Sequence, residues 1–337
     1  MPLFLDLIKN PIGLLVYLLV FPGLIFIFII SLVFEWYKRK LIARMQSRLG
    51  PTYTGSRGIL QPLADFIKLL FKEDIRVDHA DHAVVDFVII FAPALLIACT
   101  VIFIPWYGRS LYSFEGDALL LVLLLSLSSI LVYLIGWSVQ SPFTKLGSLR
   151  LVLQVAGFDI ASMLLLSVPV LETGSLSIEG IASRLPGVLV RKPIYILPHF
   201  IAFVLFLLSQ QAEMEEDPFD IPHAETEIVA GHITEISGRR LAFLDLFKDT
   251  QMTLVGLFAA SLYFGVPFPG ATNPPLWIAN ALCLVLEAAL VLFILYSIEA
   301  ATARIRIHDL LRIFWHRIIP ISLALVSILM IMKGVWG

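Results

Sequence analysis

The sequence predicts an all-α polytopic membrane protein, with about eight transmembrane helices plus amphipathic interfacial helices in its cytoplasmic loops. Three observations predict it. The chain is 59% hydrophobic and only 15% charged, where a soluble chain carries roughly 25% charge. Its apolar residues gather in runs able to span roughly 30 Å of hydrocarbon at 1.5 Å per residue. Its charges gather between those runs, and ten of the 26 acids fall between Gln210 and Thr250. A multi-domain soluble protein is excluded, and residues 1–337 are expected to form one membrane domain.

The expected spans are 12–34, 82–104, 117–140, 151–171, 193–212, 252–268, 278–298 and 320–336. The first exceeds a signal-peptide core and is followed by Lys38–Lys40, so it reads as a retained helix. The sixth is the shortest. Numbering each loop by the span it follows, loops 1, 3, 5 and 7 hold 18 of the 24 lysines and arginines. The positive-inside rule then places those loops in the cytoplasm and both termini outside, which fits a multi-pass protein of the cell membrane.

Loop 1 (35–81) opens with Lys38, Arg39, Lys40, Arg44 and Arg48, which read as an inside-positive, headgroup-facing cluster. A Gly/Pro-rich turn follows. Ile59–Lys72 then reads as an amphipathic helix, with Leu63, Phe66, Ile67, Leu70 and Phe71 on one stripe and Asp65, Lys68 and Lys72 off it. It is too short and too charged to span. Loop 7 (299–319) repeats the pattern, with Ile307, Leu310, Leu311 and Phe314 opposite Arg306, Asp309, Arg312 and His316.

Loop 5 (213–251) is the acidic stretch, carrying Glu213, Glu215, Glu216, Asp217, Asp220, Glu225 and Glu227 among its acids. The bland reading is a solvated loop that neutralises a basic partner. Against it, Glu213 follows directly on an apolar span, and Asp217-Pro218 and Ile221-Pro222 stiffen the turn. Crowded, partly buried carboxylates hold protons more tightly than free ones and can exchange them near neutral pH. Asp159 and Glu287 lie near the middle of their spans, where a charge costs roughly 2.5–3.5 kcal/mol on insertion scales. An interhelical hydrogen bond from a protonated acid is the structural alternative for both.

Cys99 and Cys283 cannot hold a cluster, and the seven histidines show no haem-like or metal-ligand spacing. His79 and His82, in DHADH, read as an interfacial helix start. No metal or cofactor is expected on this chain, and nothing points to nucleic acid.

Longer motifs carry a resemblance. They are ARMQSRLGP (43–51) and Gly58 with QPLADFIKLLFKE (to 73). Arg150, Gln154 and Asp159 follow in the fourth span. Then come PFDIPHAETEIVAG (218–231), Ser237-Gly238, RIR (304–306), Trp315 and Pro320. Over nearly its whole length the chain resembles the H-type membrane subunit (subunit 1) of respiratory complex I. It also resembles the homologous subunit of membrane-bound NiFe hydrogenases and sulfur-reducing complexes. Quinone-reducing members usually carry Arg at the positions of Glu216 and Glu299, Glu at Asp159 and Tyr at Ile236. The added acids make the pocket less suited to a quinone, so the resemblance leans toward the hydrogenase and sulfane sulfur reductase branch.

That resemblance implies a membrane-anchoring and coupling subunit. It would link ferredoxin-driven reduction of protons or sulfur compounds in a peripheral arm to H⁺ or Na⁺ translocation through antiporter-like subunits. Iron–sulfur clusters, and a NiFe centre in the hydrogenase case, would sit on cytoplasmic partner subunits. Asp159, Glu213, Glu216, Asp220, Glu225, Glu227 and Glu287 are the candidate coupling residues, although Glu287 matches no family position. Arg48, Asp65, Lys68 and Lys72 are candidates for docking the redox arm and lining its cavity. A quinone-chamber subunit of complex I proper is the nearest alternative. A stand-alone secondary transporter lacks support from inverted repeats, and a purely structural anchor is the third reading.

Overall fold

The computed structural model describes residues 11–268 and 274–336, and every regular element among them is helical. The first span is α1 (Pro11–Leu19) and α2 (Leu24–Met45), offset at residues 20–23. α2 does not stop near residue 34. Nothing from Glu35 to Met45 breaks a helix, so it runs on through the basic cluster.

α3 (Gln61–Phe71) is the loop 1 helix, with Pro62 in its first turn. Only part of the expected stripe faces inward. Pro62 and Leu69 are buried, and Phe66 packs edge-on against Phe28 and Phe243 at 5.5 and 6.3 Å between centroids. Ile67 and Phe71 are exposed, because α2 and α10 cover a single flank of this helix.

α4 (His82–Phe103) starts where DHADH predicted, with Asp81 accepting from the backbone of Ala83 and Val84. α5 (Asp117–Ser138) matches the third span, and α6 (Pro142–Thr173) begins nine residues before the fourth. α7 (Ile178–Arg191) was not anticipated. Ile178, Ile181, Ala182 and Leu185 bury one stripe of it against the bundle. α8 (Ile196–Glu213) is the fifth span. Loop 5 then holds one helical turn, α9 (Glu225–Ile228), before α10 (Gly238–Tyr263). α11 (Pro274–Ala301) is the seventh span. In loop 7, α12 (Ile307–Ile313) buries Leu310 and, just beyond it, Phe314 as expected. It passes through a π-helical turn into α13 (Ile319–Trp336).

Among the described residues, seven helices are long and apolar enough to cross a membrane. The remaining expected span, the sixth at 252–268, falls on the second half of α10, which is less apolar than the others. Its position explains why: every residue from Thr250 to Tyr263 is buried among α2, α3, α4, α7 and α11. A helix walled by protein can use small and polar residues instead of a lipid-facing apolar surface. Thr250, Thr253 and Ser261 return their hydroxyls to the carbonyls of Leu246, Asp249 and Leu257 at 2.8–2.9 Å.

Loops 1, 3, 5 and 7 meet at one end of the bundle, the grouping the charge pattern required. Lys38 reaches Glu216 and Glu299 there, and Arg150 and Arg304 both reach Glu227. At the other end, the Ile178 amide donates to Asp117 at 2.6 Å and Lys333 Nζ donates to the Leu171 carbonyl at 2.9 Å.

Candidate functional site

The turn after α8 is the structural centre of the loop 5 end. Gln154, from α6, donates its amide to the carbonyls of Ala212 (2.8 Å) and Phe219 (3.0 Å), and Gln211 donates to the Asp217 carbonyl at 2.8 Å. Glu215 takes a left-handed conformation with φ 57°. Three consecutive acids, Glu215, Glu216 and Asp217, therefore point to different surroundings.

The outermost layer is a cavity of about 200 Å³ between α2, α3 and α10, with Glu35, Lys38, Arg39, Asp65, Glu216, Asp245, Lys248 and Asp249 in its wall. Arg39 bridges Glu35 at 2.6 Å and Asp65 at 2.5 Å, and Gln61 donates to the other Asp65 oxygen at 2.9 Å. Next comes Lys38, whose ammonium is hydrogen-bonded to Glu216 and lies 3.4 Å from Glu299. Its side chain is only 13% exposed. Lys38 is thus a buried counter-ion for both acids, not a headgroup-facing residue. Burial alone would raise the Glu216 carboxyl, but the charges of Lys38 and Lys248 outweigh it and hold it below the usual range.

Deeper in, Glu215, His223, His232 and Lys248 form a cluster. His223 Nε2 lies 2.6 Å from Glu215 Oε2 and 2.8 Å from Lys248 Nζ. Beside it, burial lifts Asp220 to about 6 despite His223 and Lys248. At the inner end, Ser129 donates to Glu213 Oε1 at 3.1 Å and Ser126 to Asp159 Oδ1 at 2.7 Å. The two serines sit one turn apart on α5 and present the innermost acids side by side. Glu213 is buried, while Asp159 is half-buried.

The structure thus brings Asp159, Glu213, Glu216 and Asp220 into one region, together with Asp65. Arg48 lines a neighbouring cavity of about 460 Å³ with Lys38, Arg39, Asp217 and Glu299. Lys68 and Lys72 are exposed and line neither cavity. Glu227 is exposed and lies to one side, 2.6 Å from Arg150 and 3.4 Å from Arg304, in the wall of a basic cavity of about 220 Å³. The Arg150 hydrogen bond and charge lower its carboxyl. Glu287 sits three turns from Glu299 on α11, with Oε2 enclosed and unpartnered. The side chain of Glu225 lies outside the described residues.

Sequence reasoning missed Lys38, Glu35, Ser126, Ser129, Gln211 and the histidine pair. The serines leave no local signal, because only the α5–α6–α8 packing aims them. For His223 and His232 the signal was present but weak: both lie in the stretch that holds the acids, too far apart for a helical ligand motif.

A protein-family model described as NADH dehydrogenase matches residues 17–330. The H-type subunit of the NADH-quinone oxidoreductase of Thermomicrobium roseum is 35% identical over 316 residues, covering 90% of this chain and 91% of that one. The same-named protein of Brevibacillus brevis is 31% identical over 293 residues, covering 86% and 84%. Among solved structures, the membrane-bound sulfane sulfur reductase, an archaeal respiratory membrane complex, superposes with a TM-score of 0.77. It shares 23% identity over 90% of this chain and 96% of that one, which establishes the shared fold. A model spanning nearly the whole length and relatives above 30% identity across most of both chains agree with the motifs: the chain belongs to the NADH dehydrogenase family, as a membrane subunit of the H type found in complex I.

Proposed function

We propose that this chain couples electron transfer in a peripheral redox arm to ion translocation through neighbouring antiporter-like membrane subunits. One observation carries the reading: paired and unpaired charges run inward from Asp65 and Arg39 at the loop 1 surface. They pass Lys38 with Glu216 and Glu299, then Glu215 with His223, to Glu213 and Asp159 in the bundle. A structural role asks for closed pairs, and this line has more carboxylates than cations. Groups in such a line exchange protons when a neighbouring charge changes. A redox event beside loop 1 would shift Lys38 between Glu216 and Glu299, and the inner acids would follow. The odd-numbered loops would face the cytoplasm and the redox arm, and the iron–sulfur clusters, with any NiFe centre, would belong to its subunits.

The test is Glu213→Gln in native membranes supplied with reduced ferredoxin. Donor oxidation is expected to continue while the ion gradient collapses. A wild-type gradient per electron would end the coupling reading.

A second reading is a quinone-chamber subunit. It is favoured by the relatives named as NADH-quinone oxidoreductase subunits and by Lys38, which lines the 460 Å³ cavity beside Glu299 and offsets both that acid and Glu216. Assaying H₂, sulfide and quinol with and without a quinone-site inhibitor separates the two. Inhibitor-sensitive quinol formation selects the second; inhibitor-insensitive H₂ or sulfide formation selects the first.

A further inference from the structure

Glu215, His223 and His232 are the one group of three potential metal ligands that converge among the described residues. One carboxylate oxygen and one nitrogen from each ring lie within 4.8 Å of one another. The rings are 4.5 Å apart between centroids. The chain is shaped to bring them together. Gly231, at φ 56°, packs so closely on the Pro222 carbonyl that a Cβ there would collide with it. Residues 222–223 and 231–232 therefore run side by side, and the left-handed turn at Glu215 aims its carboxylate at them.

The cluster is not satisfied as it stands. Glu215 Oε2 and His232 Nδ1 are fully enclosed, and neither has an aligned hydrogen-bond donor. Glu215 is 7% exposed and His232 1%. His223 Nε2 approaches Glu215 Oε2 to 2.6 Å, but the two are not aligned as a hydrogen bond. The same nitrogen faces the Lys248 ammonium at 2.8 Å. One imidazole nitrogen cannot accept from Lys248 and donate to Glu215 at once. Enclosed polar atoms without partners are costly, and the Lys248 ammonium stands beside them, against His223.

We propose that Glu215, His223 and His232 bind a divalent transition-metal cation of the zinc class, and that Lys248 is the charge this cation displaces. Two imidazoles and a carboxylate form a borderline-soft set that suits zinc and cobalt, in a three-ligand site leaving a fourth position open. Ligand atoms around such an ion, with bonds of about 2.0–2.2 Å, stand roughly 3.3 Å apart, so small side-chain shifts close the cluster on it. The site falls between Glu216 and Glu213, so a bound cation interrupts the inward line. That consequence rests on the proposed coupling role; the binding itself does not.

The test uses the intact, chelator-washed complex and Zn²⁺ alone, with bound metal counted per complex and Co²⁺ absorption reporting the ligand set. Wild type is expected to bind one Zn²⁺ that His223→Asn and Glu215→Gln lose or bind at least tenfold more weakly. Lys248→Met is expected to bind it at least tenfold more tightly, a gain that misfolding cannot imitate. Equal zinc binding in wild type and the two ligand variants, or Lys248→Met binding no better than wild type, would overturn the site. Binding in the expected order with an undiminished ion gradient in the zinc-loaded complex would uphold the site and count against the coupling line.

Discussion

α6 and α8 cross the bundle together and bury acids towards both ends, but the two ends are built differently. At one, Glu172 Oε2 meets His199 Nδ1 at 2.7 Å, and His199 Nε2 donates to the Tyr263 carbonyl at 3.0 Å. Both ring nitrogens are used, Tyr263 donates its hydroxyl to the Leu165 carbonyl at 3.1 Å, and the paired groups end there, with Glu172 Oε1 enclosed and unpartnered. At the other end, Glu213 and Asp159 meet only serine hydroxyls, and the charges continue outward through loop 5 to loop 1. The closed pair has the economy of a packing device. The open line keeps more carboxylates than it has cations to pair them, and the proposed coupling role rests on this asymmetry.

The contrast can be broken most forcefully at Lys38. Lys38→Met leaves Glu216 and Glu299 without their shared cation, and uncompensated buried charge costs about 3–5 kcal/mol. The expected result is loss of the subunit from solubilised, assembled complex, partly restored when Glu216→Gln is added. Wild-type assembly of Lys38→Met alone would show that the line carries no such cost. His199→Phe comes next. It leaves the Glu172 carboxyl unpartnered, for about 1–3 kcal/mol, and should lower the thermal midpoint of the complex while leaving the ion gradient per electron intact. A collapsed gradient in this variant would erase the distinction between the two ends.

Glu213→Gln should show the reverse signature. Gln retains an oxygen for the Ser129 hydroxyl, so stability should change by less than about 1 kcal/mol, while the gradient is lost. Glu227→Gln sharpens the same point from outside the line. Its pairs with Arg150 and Arg304 are exposed, and such pairs are worth about 0–1 kcal/mol. A gradient lost in Glu227→Gln as completely as in Glu213→Gln would extend the line to the Arg150–Arg304 corner.

Much of this was legible in the chain. Long apolar runs are a strong signal, so the spans emerged near their observed ends, and the clustering of acids pointed to loop 5. What failed did so for physical reasons. The sixth span reads as a short, free-standing crossing at 252–268, whereas it is the end of α10, which begins at Gly238 and is surrounded by protein rather than lipid. Lys38 read as an inside-positive residue because a basic run after an apolar helix usually is one; only the extension of α2 shows that it turns inward. Ser126, Ser129 and the convergence of His223 with His232 depend on contacts between residues far apart in the chain.

The smallest effect tests the line by pH. Asp220 is partly buried, and that burial lifts its carboxyl from 3.8 to about 6, with Glu216 and Asp217 adding to the rise and His223 and Lys248 opposing it. A carboxyl raised in the folded state binds its proton more tightly there than in the unfolded chain. Its contribution to stability is therefore present in full below about 4 and lost as pH rises through about 6. Asp220→Asn removes the group that loses it. The variant should match wild type in thermal midpoint near pH 4 and exceed it by a small margin at pH 7.5, small because Asp220 is only partly enclosed. A midpoint difference that does not vary with pH would show that Asp220 is solvated as an ordinary surface acid, and that the protein environment holding Glu213 ends before it reaches the loop.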